Sequence, residues 1–192
     1  MPSDRLETAF RSIRRADFLP ADQQPYADQD RALGIGHRQT NSQPSTVRVM
    51  LRLLDVHTGQ RVLDVGCGSG WTTALIADLV GETGTVFGVE LVPELAEWGR
   101  KNLGAYAFPW ASISTADPDV LGLPDLAPFD RVLVSAEART LPCPLVDQLR
   151  VGGLMVAPIS GRMAVVRRTE SEPDVVYLGH FMFVPLIEPA GG

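Results

Sequence analysis

Apolar positions open the chain with a helical period. Leu6, Ala9, Phe10 and Ile13 share one face of residues 4–15, which predicts an amphipathic helix. Residues 16–43 lose that pattern. Pro20, Pro25, Gly34 and Gly36 interrupt them, while Tyr26, Leu33 and Ile35 supply apolar anchors. The segment reads as a long, irregular but ordered loop, a kind that usually carries function. From Ser42 the helical period returns. Val47, Met50, Leu51 and Leu54 form one face through Val56, and Thr58-Gly59 ends it. Ser42 is expected to be the N-cap, with Pro44 just inside the first turn.

Beyond Gly59 the period alternates. Strands are predicted over Arg61–Val65, 84–89, 110–115, Phe129–Val134 and 154–159, and helices over Trp71–Val80, 93–103 and 142–149. Residues 163–168 and 175–184 add two strands, expected to be antiparallel. Alternation of this kind implies right-handed crossovers and an α/β fold: a doubly wound, mostly parallel sheet of seven strands, helices on both faces, and a C-terminal antiparallel element. Such sheets bind ligands beyond the carboxyl ends of their strands, beside the first strand. The 192 residues suit one domain, with 1–43 as an N-terminal helix and covering segment and 44–192 as the core.

Composition narrows the partners. Apolar residues make up 45% and the net charge is −6, which speaks against nucleic acid or an anionic membrane as the main partner. No apolar run approaches the ~20 residues of a membrane span, and residues 1–15 are charged without the apolar stretch of a signal peptide. The expected location is the cytoplasm. Cys67 and Cys143 are two isolated cysteines, and His37, His57 and His180 are scattered, so no metal site is expected.

The chemistry concentrates at Asp64-Val65-Gly66-Cys67-Gly68-Ser69-Gly70, where a strand runs into a turn and then a helix. The spacing is GxGxG after an acid, without the third glycine of the dinucleotide fingerprint. Glycines admit positive φ and leave no Cβ between backbone and ligand, and the helix start offers free N–H groups. Glu90 ends the second strand, with Leu91 beside it, and can accept hydrogen bonds from ribose hydroxyls. Asp117 follows the third strand, where an acceptor can meet an adenine amino group. Asp64, Gly66, Gly68, Ser69, Gly70, Glu90, Leu91 and Asp117 are therefore expected to bind S-adenosylmethionine rather than a nicotinamide. Cys67 reads as a small filler.

Upstream stands Gly36-His37-Arg38-Gln39-Thr40-Asn41-Ser42-Gln43-Pro44. Together with the glycine turn, with Pro128-Phe129-Asp130-Arg131-Val132, with Gln148-Leu149 and Gly152-Gly153, and with Phe183-Val184-Pro185-Leu186, this resembles the protein-L-isoaspartate O-methyltransferase family over residues 5–187. The resemblance implies a Rossmann-like methyltransferase fold and methyl transfer to the free carboxylate of L-isoaspartyl residues in damaged peptides or proteins. It implies Ser42 as the catalytic residue, Gln39, Thr40 and Asn41 beside the cofactor, and Thr40, Ser42, Ser135 and Ala136 beside the substrate. It leaves His37 a structural role and suggests a monomer. The same scaffold on another acceptor, a small metabolite or a modified peptide, is the alternative. The chain departs from the family pattern in Asn41, where the family has Ile, and in Glu137, where it has a small residue. A carboxylate at 137 would repel an anionic acceptor if it pointed inward.

Overall fold

The computed structural model describes residues 2–187, with side chains from residue 5 onward. Helix α1 (Pro2–Ser12) buries Leu6 and Ala9 and leads, past the buried Ile13, into a 3-10 turn, Arg15–Phe18, that buries Arg15 and Phe18. The segment expected to be irregular contains a hairpin of β1 (Leu33–Gly36) and β2 (Gln39–Asn41). Gly36, His37 and Arg38 turn it with φ of 88°, 51° and 60°. Its strands are too short to leave a period of two in the sequence.

Helix α2 (Pro44–Leu54) follows, and here the structure corrects the expected cap. Gln43 is the N-cap, and its side chain makes no capping bond to the helix. The Ser45 N–H donates instead to Asp30 Oδ1 at 2.8 Å. An ionised carboxylate is the stronger acceptor at the positive end of a helix, so Asp30 caps from across the loop and Ser42 is left outside the helix.

The main sheet comprises β3 (Arg61–Val65), β4 (Thr85–Glu90), β5 (Ala111–Thr115), β6 (Phe129–Val134), β7 (Leu149–Ile159), β8 (Arg162–Arg167) and β9 (Asp174–Leu178), in the order β5-β4-β3-β6-β7-β8-β9. The strands β3 to β7 pair in parallel, while β8 and β9 add antiparallel. Between them lie α3 (Trp71–Val80), α4 (Pro93–Gly104) and a single turn, α5 (Cys143–Val146). The last is shorter than the 142–149 expected. Strand β7 instead starts at Leu149, and its register against β6 shifts between Phe129 and Arg131. Gly152-Gly153 therefore form a bulge within the strand, with Gly152 at φ 78°, rather than a turn before it. The final strand also stops early, at Leu178. Residues 184–187 cross back to the centre of the sheet, where the Glu137 N–H donates to the Val184 carbonyl at 2.8 Å and the Leu186 N–H to the Glu137 carbonyl at 2.7 Å.

Alternate residues of the central strands feed two cores. Val62 and Leu133 pack with residues of α1 to α4, and Leu63, Val132 and Val134 with residues of α5, β7 and β8. Each fully buried side chain of this size, Leu63 or Ile76 for example, contributes about 1.5–3 kcal/mol of burial. The strand order reverses beside β3, so the carboxyl ends of β3, β4 and β6 diverge around a crevice. Among the described residues, no helix is long and apolar enough to cross a membrane.

Candidate active site

The glycine turn wraps the end of β3 with φ of 72° at Gly66, 54° at Gly68 and 89° at Gly70. Two interactions hold it against β4. The N–H groups of Gly66 and Cys67 share the Val89 carbonyl, at 2.9 and 3.1 Å. Glu90 is buried and ties the turn to the start of α4, taking the Gly68 N–H on Oε2 at 2.8 Å and the Val92 N–H on Oε1 at 2.9 Å. Each oxygen keeps acceptor capacity for a further donor.

Two residues of the turn do other work than expected. Asp64 is fully buried; the hydroxyls of Thr72 and Thr73 donate to its Oδ2 at 2.7 Å each, and its Oδ1 has no partner. Burial pushes its pKa up to about 6, against the two threonine bonds that favour the charge. Asp64 thus anchors α3 beneath the turn. Gly70 is the N-cap of α3 and faces α4. A Cβ there would stand 2.8 Å from Ile113 Cδ1 and 3.1 Å from the Gly99 carbonyl, so close helix packing, not ligand contact, requires the glycine. Burial, with Asp64 and Glu90 nearby, pushes the Cys67 thiol up, which leaves it a filler without nucleophilic character.

The other expected residues come together around three adjoining hollows. The first, a cleft of about 690 Å³, has Gln39, Gly66, Glu90, Leu91 and Asp117 on its walls, with residues 184–187 opposite. The second is a narrow neck between Thr40, Asn41 and Ser42 on one side and Gly66, Gly68 and Ser69 on the other. The third is an open groove that Thr40, Ser42, Asp30, Arg31, His180 and Phe181 border. Ser135 lies on the walls of all three, and its buried Oγ has no hydrogen-bond partner. Ala136 is corrected from the acceptor side to the cleft side, where it lies under Gly66 with its Cβ 3.7 Å from the position a Gly66 Cβ would take. Asp117 is exposed and spends Oδ1 on the Asp119 N–H at 2.9 Å.

Both departures from the family pattern are accounted for. Glu137 borders none of these hollows; its Oε1 accepts the Gly161 N–H at 3.1 Å. Asn41 is buried, and donates from Nδ2 to Ser69 Oγ at 3.3 Å while Arg15 Nε donates to its Oδ1 at 2.8 Å. Sequence reasoning missed Arg15, Asp30 and the Thr72–Thr73 pair. A charged residue just past an apolar helix face gives no sign of being buried, and only the hairpin brings Asp30 to the start of α2. His37 sits exposed at the hairpin turn.

Comparison with known proteins follows this geometry. Protein-L-isoaspartate O-methyltransferase of Methanothrix thermoacetophila is 41% identical over 192 residues, covering 98% of this chain and 90% of its own. The enzyme of the same name from Myxococcus xanthus is 40% identical over 190 residues, 95% of this chain and 88% of its own. A solved protein-L-isoaspartate O-methyltransferase superposes with a TM-score of 0.84 at 26% identity, over 98% of this chain and 62% of that longer one. A protein from Plasmodium falciparum, solved with S-adenosyl-L-homocysteine, shares the fold with a TM-score of 0.85 at 24% identity over 95% of this chain and 90% of that one. The family model for protein-L-isoaspartate(D-aspartate) O-methyltransferase matches residues 1–191, and the chain belongs to that family.

Proposed function

We propose that this protein transfers a methyl group from S-adenosylmethionine to the free carboxylate of L-isoaspartyl residues, a repair reaction on damaged peptides and proteins. The observation that carries the reading is the course from cleft to neck to groove, with Ser135 on every wall. A cofactor and an acceptor held in adjoining hollows meet beside Ser135, which all three hollows share. The residues present fit the cofactor: a glycine turn without Cβ atoms, a clamped carboxylate at Glu90 with spare lone pairs, and the unpartnered Ser135 Oγ. Gln39, Gly66, Glu90, Leu91 and Asp117 would hold its nucleoside part, and Thr40, Gly68 and Ser69 its amino-acid part, while the Asn41 side chain is already engaged by Arg15 and Ser69.

When bound, S-adenosylmethionine supplies an electrophilic methyl group. An acceptor carboxylate is already ionised at neutral pH, so the site needs alignment and exclusion of water rather than a strong base. Positioning alone can supply about 7–11 kcal/mol. The hydroxyls of Thr40, Ser42 and Ser135 border the groove and can donate to the carboxylate, orienting one oxygen toward the neck. Ser42, free of any capping duty, is the residue assigned to that step. The net charge of −6 weighs against nucleic acid or an anionic membrane as the main partner; a cytoplasmic location and a monomeric state belong to the same proposal.

The test uses S-adenosylmethionine labelled in the methyl group and a synthetic isoaspartyl peptide. Base-labile label is expected on that peptide and not on its aspartyl twin; label on neither would overturn the assignment. Ser42→Ala is expected to lower kcat about 10- to 100-fold, the worth of one hydrogen bond to a charged group, with cofactor affinity unchanged.

A further inference from the structure

Arg15 is buried, 6% exposed, in the 3-10 turn behind the hairpin. Its guanidinium is wholly engaged. Nε donates to Asn41 Oδ1 at 2.8 Å. Nη1 donates to the carbonyls of Ala27 and Gln29 at 3.1 and 3.0 Å. Nη2 donates to the carbonyls of Arg31, Asn41 and Ser42 at 2.8, 3.1 and 3.0 Å. The guanidinium lies 5.5 Å from the ring centroid of Trp71, which also borders the neck. Among the described residues no carboxylate pairs with it.

A cation buried against carbonyl dipoles and the Trp71 ring, with Asp30 near it but not paired with it, is a costly way to stabilise a loop, because desolvation offsets most of what the bonds return. What the arrangement secures is geometry. Asn41, gripped at Oδ1, turns its Nδ2 to Ser69 Oγ on the cofactor turn. The carbonyls of Asn41 and Ser42 are pinned by the same Nη2. One planar group therefore fixes the segment that carries Thr40 and Ser42 and, through Asn41, its separation from the glycine turn.

We infer that Arg15 is a positioning residue for methyl transfer: acting through Asn41, it sets the width of the neck between Ser42 on the acceptor side and Ser69 on the cofactor side. The inference rests on the methyl-transfer reading above. A mere loop staple would affect stability and cofactor binding together. A positioning residue affects turnover with the cofactor site intact, since Glu90 and the Val89 carbonyl hold the turn independently of Arg15.

Two variants test this. Arg15→Lys keeps the charge but cannot span the set of acceptors. Asn41→Ala removes the link to Ser69 and leaves the carbonyl bonds. For each, kcat and KM on an isoaspartyl peptide, Kd for S-adenosylhomocysteine, Tm and amide hydrogen exchange over 39–42 are measured. In Arg15→Lys, kcat is expected to fall about a hundredfold, the effect of a misplacement near 1 Å, with Kd within about threefold of the parent and faster exchange at Thr40 and Ser42. Asn41→Ala is expected to show the same split at smaller size, and it carries the test if Arg15→Lys does not fold. Unchanged kcat in folded variants, or equal losses in kcat, cofactor affinity and Tm, would overturn the inference. If the parent protein labels no isoaspartyl peptide, the acceptor assignment fails on its own, and unchanged exchange at 40–42 in Arg15→Lys then overturns the positioning role.

Discussion

Asp64 immediately precedes the glycine turn, and its two oxygens sit in unequal surroundings: Oδ2 takes both threonine hydroxyls, Oδ1 takes nothing. Its direction follows from its neighbours on β3. Side chains two apart on a strand share a face, and Val62 packs on the α3 side, so Asp64 had to point there too and not into the crevice. With its pKa raised from 3.8 to about 6, the folded protein keeps a proton that the unfolded chain has already lost. Stability from this group is therefore highest below the unfolded value, falls as pH rises through that window, and is level above it. About two pH units at ~1.4 kcal/mol each amounts to about 3 kcal/mol. Asp64→Asn should gain about that much on the parent protein between pH 4 and pH 7 in urea unfolding, and a difference that stays flat with pH would refute the account. Gly70→Ala places a side chain at φ 89° against Ile113 and Gly99; strain and overpacking together should cost about 2–4 kcal/mol in the same assay.

Among the elements, those long enough to show a period were readable, and the short ones were not. Helix α3 and strands β3 and β6 have the bounds that their apolar spacing predicts. Hairpin β1–β2 is not legible because three or four residues cannot establish alternation, and α5 yields to β7 because pairing with β6 already begins at Leu149. The start of α2 failed for a different reason. A cap is a local signal only when the acceptor is local, and Asp30 lies 15 residues from Ser45. The Ser45 N–H, then the Gln43 amide, hold the Asp30 carboxyl below its usual range. A lowered acid in the folded state stabilises above its ordinary pKa, and that support is lost as pH falls through the folded value. Asp30→Ala should accordingly lower Tm at neutral pH, and the gap between parent and variant should close in acid. A gap independent of pH, followed by calorimetry, would show that the cap is not the source.

At the scale of the whole molecule, the alternation of strands and helices predicted the sheet, and the sheet placed the crevice. What it could not predict was the return of 184–187 to the middle of the sheet, which depends on the pairing of Glu137 with Val184 and Leu186. A ligand that binds only the folded crevice stabilises by mass action. S-adenosylhomocysteine at a hundred times its Kd should add about 2.7 kcal/mol and raise Tm by roughly 5–10 °C, and Glu90→Ala should remove most of that rise. The cleft takes Gln39 from one end of the described chain and 184–187 from the other. On a ribosome, which releases a protein from its amino terminus, every strand could pair before the last wall existed. A nascent chain halted short of Val184 would carry an almost finished sheet and an open trough. Affinity for the cofactor would then arrive only after all the strands of the sheet have been made, so ligand capture would report that the crossing segment is in place.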